Sequence, residues 1–333
     1  MHRPVSSETQ SLPPKPTQVK PPSRFLPQWL WAFWKFSRPH TIVGTTLSVL
    51  GIAFMAMALR PIPRIPVGGD GSYLSALLIP LLICLAGNVY IVGLNQLEDI
   101  AIDRINKPHL PLASEEFSRS QGRWIVALMG GIAVLGSAFQ GVYLMAMVWV
   151  SVLIGTAYSQ PPVRLKRFPL MASLCIFTVR GVVVNLGLFL HFQQRWGGAT
   201  GLPPAIWALT AFVLLFTFAI AIFKDIPDLE GDRRYNISTF TLRLGAVAVF
   251  NLARWVLTLC YGGMIVGSLA LPDVHAPLIM ITHLGLLALL WIRSLSVDLG
   301  DRPSIARFYQ FIWKLFFLEY LLFPLACWVA AQG

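Results

Sequence analysis

Charged side chains are scarce in this chain of 333 residues. Only 12% of its residues are Asp, Glu, Lys or Arg, whereas 56% are apolar. The apolar residues form runs that are too long for the interior of a soluble domain of this size. The composition therefore excludes an ordinary soluble protein and predicts one whose main solvent is lipid.

Cysteine is also scarce, and its placement excludes a thiolate metal site. The four cysteines, Cys84, Cys175, Cys260 and Cys327, stand alone in separate apolar runs, with no CxxC pair and no ligand-like spacing. We interpret them as small packing residues. The net charge of +11 is confined to the ends of apolar segments, so we expect no nucleic-acid partner.

Polar and proline-rich residues fill the first part of the chain. Residues 1–27 cannot bury enough apolar surface to fold alone, which predicts a flexible tail. This tail lacks the apolar core of a secretory signal and has few of the Arg and Ser residues of a transit peptide. We assign residues 28–333 to a single transmembrane domain.

Nine apolar runs follow the tail, and helices are the form in which such runs satisfy their backbone in hydrocarbon. The sequence therefore predicts an all-α, polytopic integral membrane protein with a bundle of about nine spans. The runs are Thr41 to Leu59, Leu74 to Leu97, Trp124 to Phe139, Tyr143 to Tyr158, Leu170 to Phe192, Ala205 to Phe223, Ala246 to Leu271, Pro277 to Trp291 and Phe308 to Ala330.

Lys and Arg are distributed unevenly between the two sides of such a bundle. Most of them lie in the N-terminal segment and in the loops after even-numbered runs, whereas the opposite loops hold Arg60, Arg64 and Arg195. The positive-inside rule then predicts that the N-terminus and the even-numbered loops face the cytoplasm.

Two acidic clusters follow even-numbered runs. Asn95, Asp99 and Asp103 are spaced by four, which places them on one helical face. The second cluster, Lys224 to Asp232, holds acids at intervals of three and four. The predicted topology brings both clusters to the cytoplasmic face.

Crowded carboxylates near a membrane repel one another unless cations bind there. Magnesium prefers hard oxygen ligands and is usually held by a few carboxylates together with substrate phosphates. We therefore predict Mg²⁺ bridging a diphosphate, with cationic side chains on the same face. The alternative is a pair of solvated helix ends that bond to Arg104, Arg233 and Arg234.

Several stretches resemble the UbiA superfamily of aromatic prenyltransferases, and most closely its homogentisate branch. Asn95 to Pro108 is similar to the first aspartate-rich motif of the superfamily, Lys224 to Asp232 to the second, and Tyr158 to Arg167 to a further signature. Phe36 to Thr41, Val179 to Gly187 and Phe308 to Leu315 resemble the homogentisate branch. Gln96 departs from the wider superfamily, in which Asp is common, and Ile220 stands where some members have Tyr.

The resemblance implies transfer of a prenyl group, which we expect to be phytyl, from its diphosphate to homogentisate with loss of carbon dioxide. It also implies a cyanobacterial plasma or thylakoid membrane. The expected metal ligands are Asn95, Asp99, Asp103, Asp225, Asp228 and Asp232. The expected catalytic residues are Asp99, Asp103, Asp228, Asp232 and Lys224. The expected diphosphate-binding residues are Lys107, Arg164, Lys166, Lys224 and Arg180.

Ionisable residues inside the runs leave other roles open. Arg180 and Lys314 fit contact with a substrate carboxylate or diphosphate as well as pairing within the bundle, whereas Glu319 is expected to be a structural partner. Two alternatives also remain for the whole chain. One is another branch of the superfamily, with a geranylgeranyl or solanesyl donor or with a hydroxybenzoate or chlorophyll-type acceptor. The other is a transporter or channel, which would place ionisable groups through the bilayer midplane.

Overall fold

In the computed structural model, the described residues are 26–60, 72–197, 201–234 and 239–332. The side chains of Ser72, Tyr73, Glu230 and Asp232 are not among those described. The predicted tail, residues 1–27, lies outside these ranges except for Leu26 and Pro27, which begin the first helix.

All regular secondary structure in the described part of the chain is helical. The α-helices are α1 Leu26–Phe36, α2 Pro39–Ala58, α3 Ser72–Glu98, α4 Ile100–Asn106, α5 Arg119–Ala138, α6 Val142–Ser159, α7 Pro169–Phe177, α8 Val184–Arg195, α9 Pro204–Phe223, α10 Leu229–Arg234, α11 Phe240–Leu244, α12 Ala246–Ser268, α13 Ala276–Leu295 and α14 Arg302–Ala330. A π-helical segment, Thr178–Val183, joins α7 to α8, and a short 3₁₀ helix, Leu165–Arg167, precedes α7.

Eight helices of the described chain are long and apolar enough to cross a membrane. They are α2, α3, α6, the continuous segment Pro169–Arg195, α9, α12, α13 and α14. The predicted run Trp124 to Phe139 forms α5, which packs against α3, but Arg119 and Arg123 in its first turns shorten its apolar part. The predicted count of about nine includes this helix, and the all-α, polytopic class is confirmed.

Large apolar side chains on the outside of the bundle remain exposed. Leu82, Leu135, Leu153, Leu259 and Ile292 are each more than 60% accessible. In water such a surface would be an aggregation hazard, whereas in a bilayer it faces lipid tails. The outer surface is therefore that of a membrane domain.

Aromatic rings fill the interior between α9, α12 and α14. The ring centroids of Phe216 and Phe316 lie 5.7 Å apart, and those of Phe212 and Tyr261 lie 5.5 Å apart in an edge-on contact. Such tilted and edge-on pairs suit the quadrupole of the rings and add to the stabilisation from packing. These ring contacts therefore join α9, α12 and α14 in the core.

Two glycines permit close helix contacts around this core. A Cβ atom on Gly51 of α2 would lie 2.4 Å from the backbone oxygen of Tyr320 in α14, and one on Gly181 would lie 2.9 Å from Cα of Leu214 in α9. Small residues at helix interfaces let backbones approach within membranes. These contacts fix α2 and the π-helical segment against the bundle.

Candidate active site

The first acidic cluster lies where α3 ends and α4 begins. Asp99 separates the two helices, and its backbone N–H still bonds to the carbonyl of Asn95, while the N–H of Asp103 bonds to Asp99. The amide of Asn95 donates to Asp99 Oδ2 at 3.1 Å. The spacing by four therefore keeps the three side chains on one side, as the sequence predicted.

Asp103 is buried, with 5% of its surface accessible, and its Oδ2 atom has no hydrogen-bond partner among the described residues. Burial raises the pKa of this carboxyl to about 6, against the opposing effect of Arg38 and Lys107. A buried carboxylate oxygen without a partner is costly. Asp103 therefore has a free ligand atom to offer a cation.

The second acidic cluster follows the end of α9. Lys224 Nζ lies 3.3 Å from Asp225 Oδ1, and Asp228 accepts a hydrogen bond from Lys107 of the first cluster. Burial raises the pKa of the Asp225 carboxyl. Asp232 lies in α10, but its side chain is outside the described set, so its predicted metal contact stays a prediction.

The segment after α6 supplies two further cations to Asp99. Arg164 Nη2 donates to Asp99 Oδ1 at 3.0 Å, and Lys166 Nζ donates to Oδ2 at 2.6 Å. Arg164 has a left-handed backbone, with φ of 38°, a conformation that non-glycine residues adopt at a cost. The chain thus accepts local strain where it directs a guanidinium at the acidic cluster.

Gln96 points away from the acids. It is fully buried, and its Nε2 donates to the carbonyl oxygen of Phe36 at 2.7 Å, at the end of α1. An aspartate at this position has no N–H to donate. The departure from the wider superfamily at residue 96 therefore serves the attachment of α1 to α3.

Arg38 is a site residue that the sequence analysis did not assign. It lines the cavity, and its Nη2 lies 3.4 Å from Asn95 Oδ1. Its backbone is also left-handed, with φ of 53°, between α1 and α2. The dipeptide Arg38-Pro39 could have indicated this position. A proline at the first helical position marks the start of a helix, which here lies beside the site.

A cavity of about 830 Å³ extends from the acidic clusters into the bundle. Its charged end holds eight of the predicted site residues, namely Asn95, Asp99, Asp103, Lys107, Lys166, Lys224, Asp225 and Asp228. Its inner wall contains apolar side chains from the spans, among them Val49, Met147, Val148, Val184 and Leu188. The cavity thus joins a mouth rich in cations and acids to an interior lined largely by apolar side chains.

Arg180 lies away from the acidic clusters, within the span Pro169–Arg195. It lines the cavity, and its guanidinium lies over the rings of Trp313 and Phe316 at 5.0 and 5.5 Å. Among the described residues it forms no ion pair with the acids. Its predicted contact with a diphosphate stays a prediction.

The other intramembrane ionisable groups lie outside the cavity. Lys314 is exposed on the outer face of α14, and Arg254 bonds to Asn251 and Ser294. Glu319 Oε2 lies 3.1 Å from His283 Nε2, with both side chains buried, so its expected role as a structural partner is confirmed. Arg254 and Glu319 thus connect neighbouring helices, whereas Lys314 fits neither of its expected roles, since it is exposed and does not line the cavity.

The described side chains include no group of three or more His, Cys, Asp or Glu placed to hold a metal ion on their own. Most of the acids bond to cations instead, and Asp103 is the exception. This donor set suits an ion that takes few protein ligands and completes its shell with phosphate oxygens and water, which is how magnesium is usually held. The carboxylate and amide oxygens therefore fit Mg²⁺ together with a phosphorylated substrate.

Comparisons with known proteins identify the family of this chain. The UbiA prenyltransferase family is matched over residues 39–315. A homogentisate phytyltransferase of Synechocystis sp. is 54% identical over 306 residues, which cover 90% of this chain and 96% of that relative. The chloroplastic homogentisate phytyltransferase 1 of Arabidopsis thaliana is 40% identical over 303 residues, 88% of this chain and 74% of the relative.

The fold is also found in a solved structure. A UbiA homologue from Archaeoglobus fulgidus, whose structure was solved with GPP and Mg²⁺ bound, superposes with a TM-score of 0.61. The two chains are 16% identical, and the match covers 91% of this chain and 100% of the other. Since the family match spans most of the chain and a relative shares 54% of its residues, this chain belongs to the UbiA prenyltransferase family.

Proposed function

We propose that this protein transfers a phytyl group from its diphosphate to homogentisate with loss of carbon dioxide, with Mg²⁺ as cofactor. The observation that carries the proposal is the joining of two acidic clusters at the mouth of one apolar cavity. The identity of 54% to a homogentisate phytyltransferase supports the choice of donor and acceptor.

The charged mouth suits the diphosphate of the donor. Asn95, Asp99, Asp103, Asp225 and Asp228 offer oxygen ligands for Mg²⁺, with Asp232 as a further candidate. A bound magnesium ion supplies positive charge that stabilises the departing diphosphate.

Cationic side chains add to this stabilisation directly. Four cationic side chains bond to the acids, so their N–H donors converge on one place; they are Lys107, Arg164, Lys166 and Lys224. Charge-assisted hydrogen bonds from such groups strengthen as negative charge builds up on the leaving oxygen. Their role is electrostatic, and no covalent bond between enzyme and substrate is needed.

The apolar part of the cavity suits the allylic chain and its reactive carbon. Two tyrosines, Tyr158 and Tyr309, line the cavity. Tyr158 lies at the end of α6, and the ring of Tyr309 stacks on Phe223 beside Lys224. Aromatic faces attract an electron-poor carbon, and a dry wall keeps water from it. The cavity thus protects the carbon until the electron-rich ring attacks.

The transfer breaks the carbon–oxygen bond to diphosphate and forms a bond to a ring carbon. The ring loses one proton, and the side-chain carbon takes one proton when carbon dioxide leaves, so the reaction balances without another reactant. No described residue is assigned to these proton transfers, and the decarboxylation is proposed from the likeness to the relatives.

Product analysis tests the proposal. Membranes containing the protein are incubated with labelled homogentisate, Mg²⁺, and phytyl or geranylgeranyl diphosphate. We expect a decarboxylated methyl phytyl quinol, with less product from the geranylgeranyl donor and none after magnesium is chelated. If folded protein gives no product with either donor, the homogentisate assignment is wrong. If it prenylates hydroxybenzoate instead, the protein belongs to another branch of the superfamily.

We also propose that the acidic end of the bundle and the N-terminus face the cytoplasm of a photosynthetic cell. The cations around the site, among them Lys35, Arg38 and Lys107, cluster at that end, whereas Arg60 and Arg195 lie at the other. Labelling of single cysteines introduced at exposed Arg104 and Arg195, in intact and broken cells, measures the orientation. Labelling of position 104 from outside contradicts it.

A further inference from the structure

One charged residue stands in the apolar part of the cavity. Among the described residues that line the cavity from the candidate spans, Arg180 is the one Asp, Glu, Lys or Arg. It lies in the π-helical segment Thr178–Val183, and such departures from α-helical geometry are frequent at functional sites. A charge at this depth is expensive and marks a functional site unless it is paired.

The guanidinium of Arg180 is supported by rings rather than by a carboxylate. It lies 5.0 Å from the ring centroid of Trp313 and 5.5 Å from that of Phe316, and no described acid bonds to it. Gly44 leaves room for it, since a Cβ atom there would lie 3.3 Å from Arg180 Nη1. Cation–π contacts hold the planar group in place while its N–H donors stay available.

Arg254 shows what a structural arginine looks like in the same protein. It also lies over two rings, those of Phe250 and Trp291, at 4.9 and 4.8 Å. However, its Nη atoms donate to Asn251 at 2.6 Å and to Ser294 at 3.1 Å, and it does not line the cavity. The donors of Arg180 have no such partners in the described chain.

The position of Arg180 separates it from the diphosphate end. Its guanidinium contacts Gly44, five residues into α2, whereas Arg38 just before α2 contacts Asn95 of the first cluster. Arg38 and Gly44 are six residues apart, which corresponds to roughly 9 Å along a helix. The diphosphate end already has four cations of its own, so a separate anion is the natural partner for Arg180.

We propose that Arg180, held over the ring of Trp313, binds the carboxylate of the aromatic acceptor. This inference rests on the proposed function, since it assigns the second substrate of that reaction to part of the same cavity. Polar side chains that also line the cavity, Thr45, Asn88 and Gln310, are available to the ring hydroxyls. The acceptor is thereby held with its acidic side chain in the bundle and its ring towards the diphosphate.

Loss of carbon dioxide changes how the molecule binds to Arg180. The product has no carboxylate, so it loses its ion pair with Arg180 as soon as it forms. A charged hydrogen bond of this kind corresponds to a difference of about 10- to 100-fold in affinity. Arg180 would thus select the acid and favour release of the quinol.

The test compares Arg180→Met with the wild type and with Arg254→Met as matched control, all in lipid nanodiscs. Binding of homogentisate and of methylhydroquinone, which lacks the carboxylate, is measured beside the KM for each substrate. We expect the KM for homogentisate to rise about 10- to 100-fold in Arg180→Met, with the KM for phytyl diphosphate unchanged. The wild type should prefer homogentisate to methylhydroquinone, and Arg180→Met should not.

Two further variants guard against misfolding. Arg180→Lys retains the charge and should recover part of the affinity for homogentisate, and Gly44→Ala should weaken it several-fold by pressing on the guanidinium. Both should keep magnesium-dependent binding of the prenyl diphosphate, which reports a folded site.

Three outcomes overturn the inference. If Arg180→Met keeps the preference for homogentisate, Arg180 does not contact the carboxylate. A selective rise in the KM for phytyl diphosphate makes Arg180 a diphosphate ligand instead. Equal effects of Arg254→Met and Arg180→Met on these KM values would show that both arginines have structural roles. Failure of the wild type to prenylate homogentisate is a separate result, which overturns the proposed function and the inference with it.

Discussion

Lys107, at the end of the first acidic cluster, donates a hydrogen bond to Asp228 of the second. The two residues are 121 positions apart, and the short helices α4 and α10 pack together beside them. This ion pair links the two acidic clusters at the mouth of the cavity. A diphosphate with Mg²⁺ would bond to Lys107 and Asp228 in place of their contact with each other.

The acids of the two clusters are expected to be essential for turnover. Asp99→Asn and Asp228→Asn each remove one carboxylate charge with little change of shape, and we expect product formation to fall by about 100-fold or more. Glu115→Gln is the control, because Glu115 is an exposed acid that bonds to Arg104 and does not line the cavity. Quinol formation per amount of folded protein measures the effect. Wild-type turnover in Asp99→Asn would remove this residue from the metal site.

Lys166 is expected to act on the diphosphate. It is buried, and its Nζ lies 2.6 Å from Asp99 Oδ2, whereas its neighbour Arg167 is exposed. Lys166→Met should raise the KM for phytyl diphosphate about tenfold or more, since a charge-assisted hydrogen bond is lost. Arg167→Met should leave this KM within twofold. A rise in the KM for homogentisate alone would contradict the assignment.

Gln96→Glu is expected to weaken the fold and not to improve metal binding. The carboxylate would face the carbonyl of Phe36 in a fully buried place, where Gln96 now donates a hydrogen bond at 2.7 Å. We expect a loss of about 2 to 4 kcal/mol in the free energy of unfolding. Gln121→Glu is the matched control, since Gln121 is an exposed residue of a capping box, in which Glu also fits. Thermal unfolding in detergent measures the stability of both variants. Activity of Gln96→Glu at lower Mg²⁺ concentrations than the wild type needs would contradict the prediction.

The close contact between α2 and α14 gives a test of the packing. Gly51→Ala would place Cβ 2.4 Å from the backbone oxygen of Tyr320, so the two helices must separate. We expect a loss of about 1 to 3 kcal/mol, with a lower unfolding temperature. Gly131→Ala in α5 is the control, because nothing lies within 4 Å of its added atom. Equal unfolding temperatures for the two variants would show that α2 and α14 are less closely packed.

His283 and Glu319 are expected to matter for stability and not for chemistry. Both are buried away from the cavity, and Glu319→Ala would leave His283 without its partner. Removing one member of a buried pair costs about 3 to 5 kcal/mol, whereas replacing both by apolar residues of similar volume is often neutral. The double variant His283→Phe with Glu319→Leu should therefore regain stability and keep the wild-type KM for both substrates. Changed KM values in a stable double variant would place the pair in the mechanism.

Several features of the protein follow from the sequence alone. Long apolar runs fix the helices, because no other backbone form satisfies its hydrogen bonds in hydrocarbon. The spacing of Asn95, Asp99 and Asp103 fixes their common face, because the helical period is local. The arrangement of the two acidic clusters after even-numbered runs likewise placed both at one end of the bundle, where the cavity opens.

Other features were decided by the tertiary structure. Gln96 directly follows Asn95 of the acidic cluster, yet it bonds to Phe36. Arg180 lies far along the chain from the rings of Trp313 and Phe316 that support it. The pairing of Lys107 with Asp228 is of the same kind. Which side chains are charged, and how they are spaced, can be read along the chain. The partner of each one depends on which helices pack together and how closely. That packing is set by the shapes of many side chains at once, so only the folded bundle determines which cation meets an acid and which remains available for a substrate.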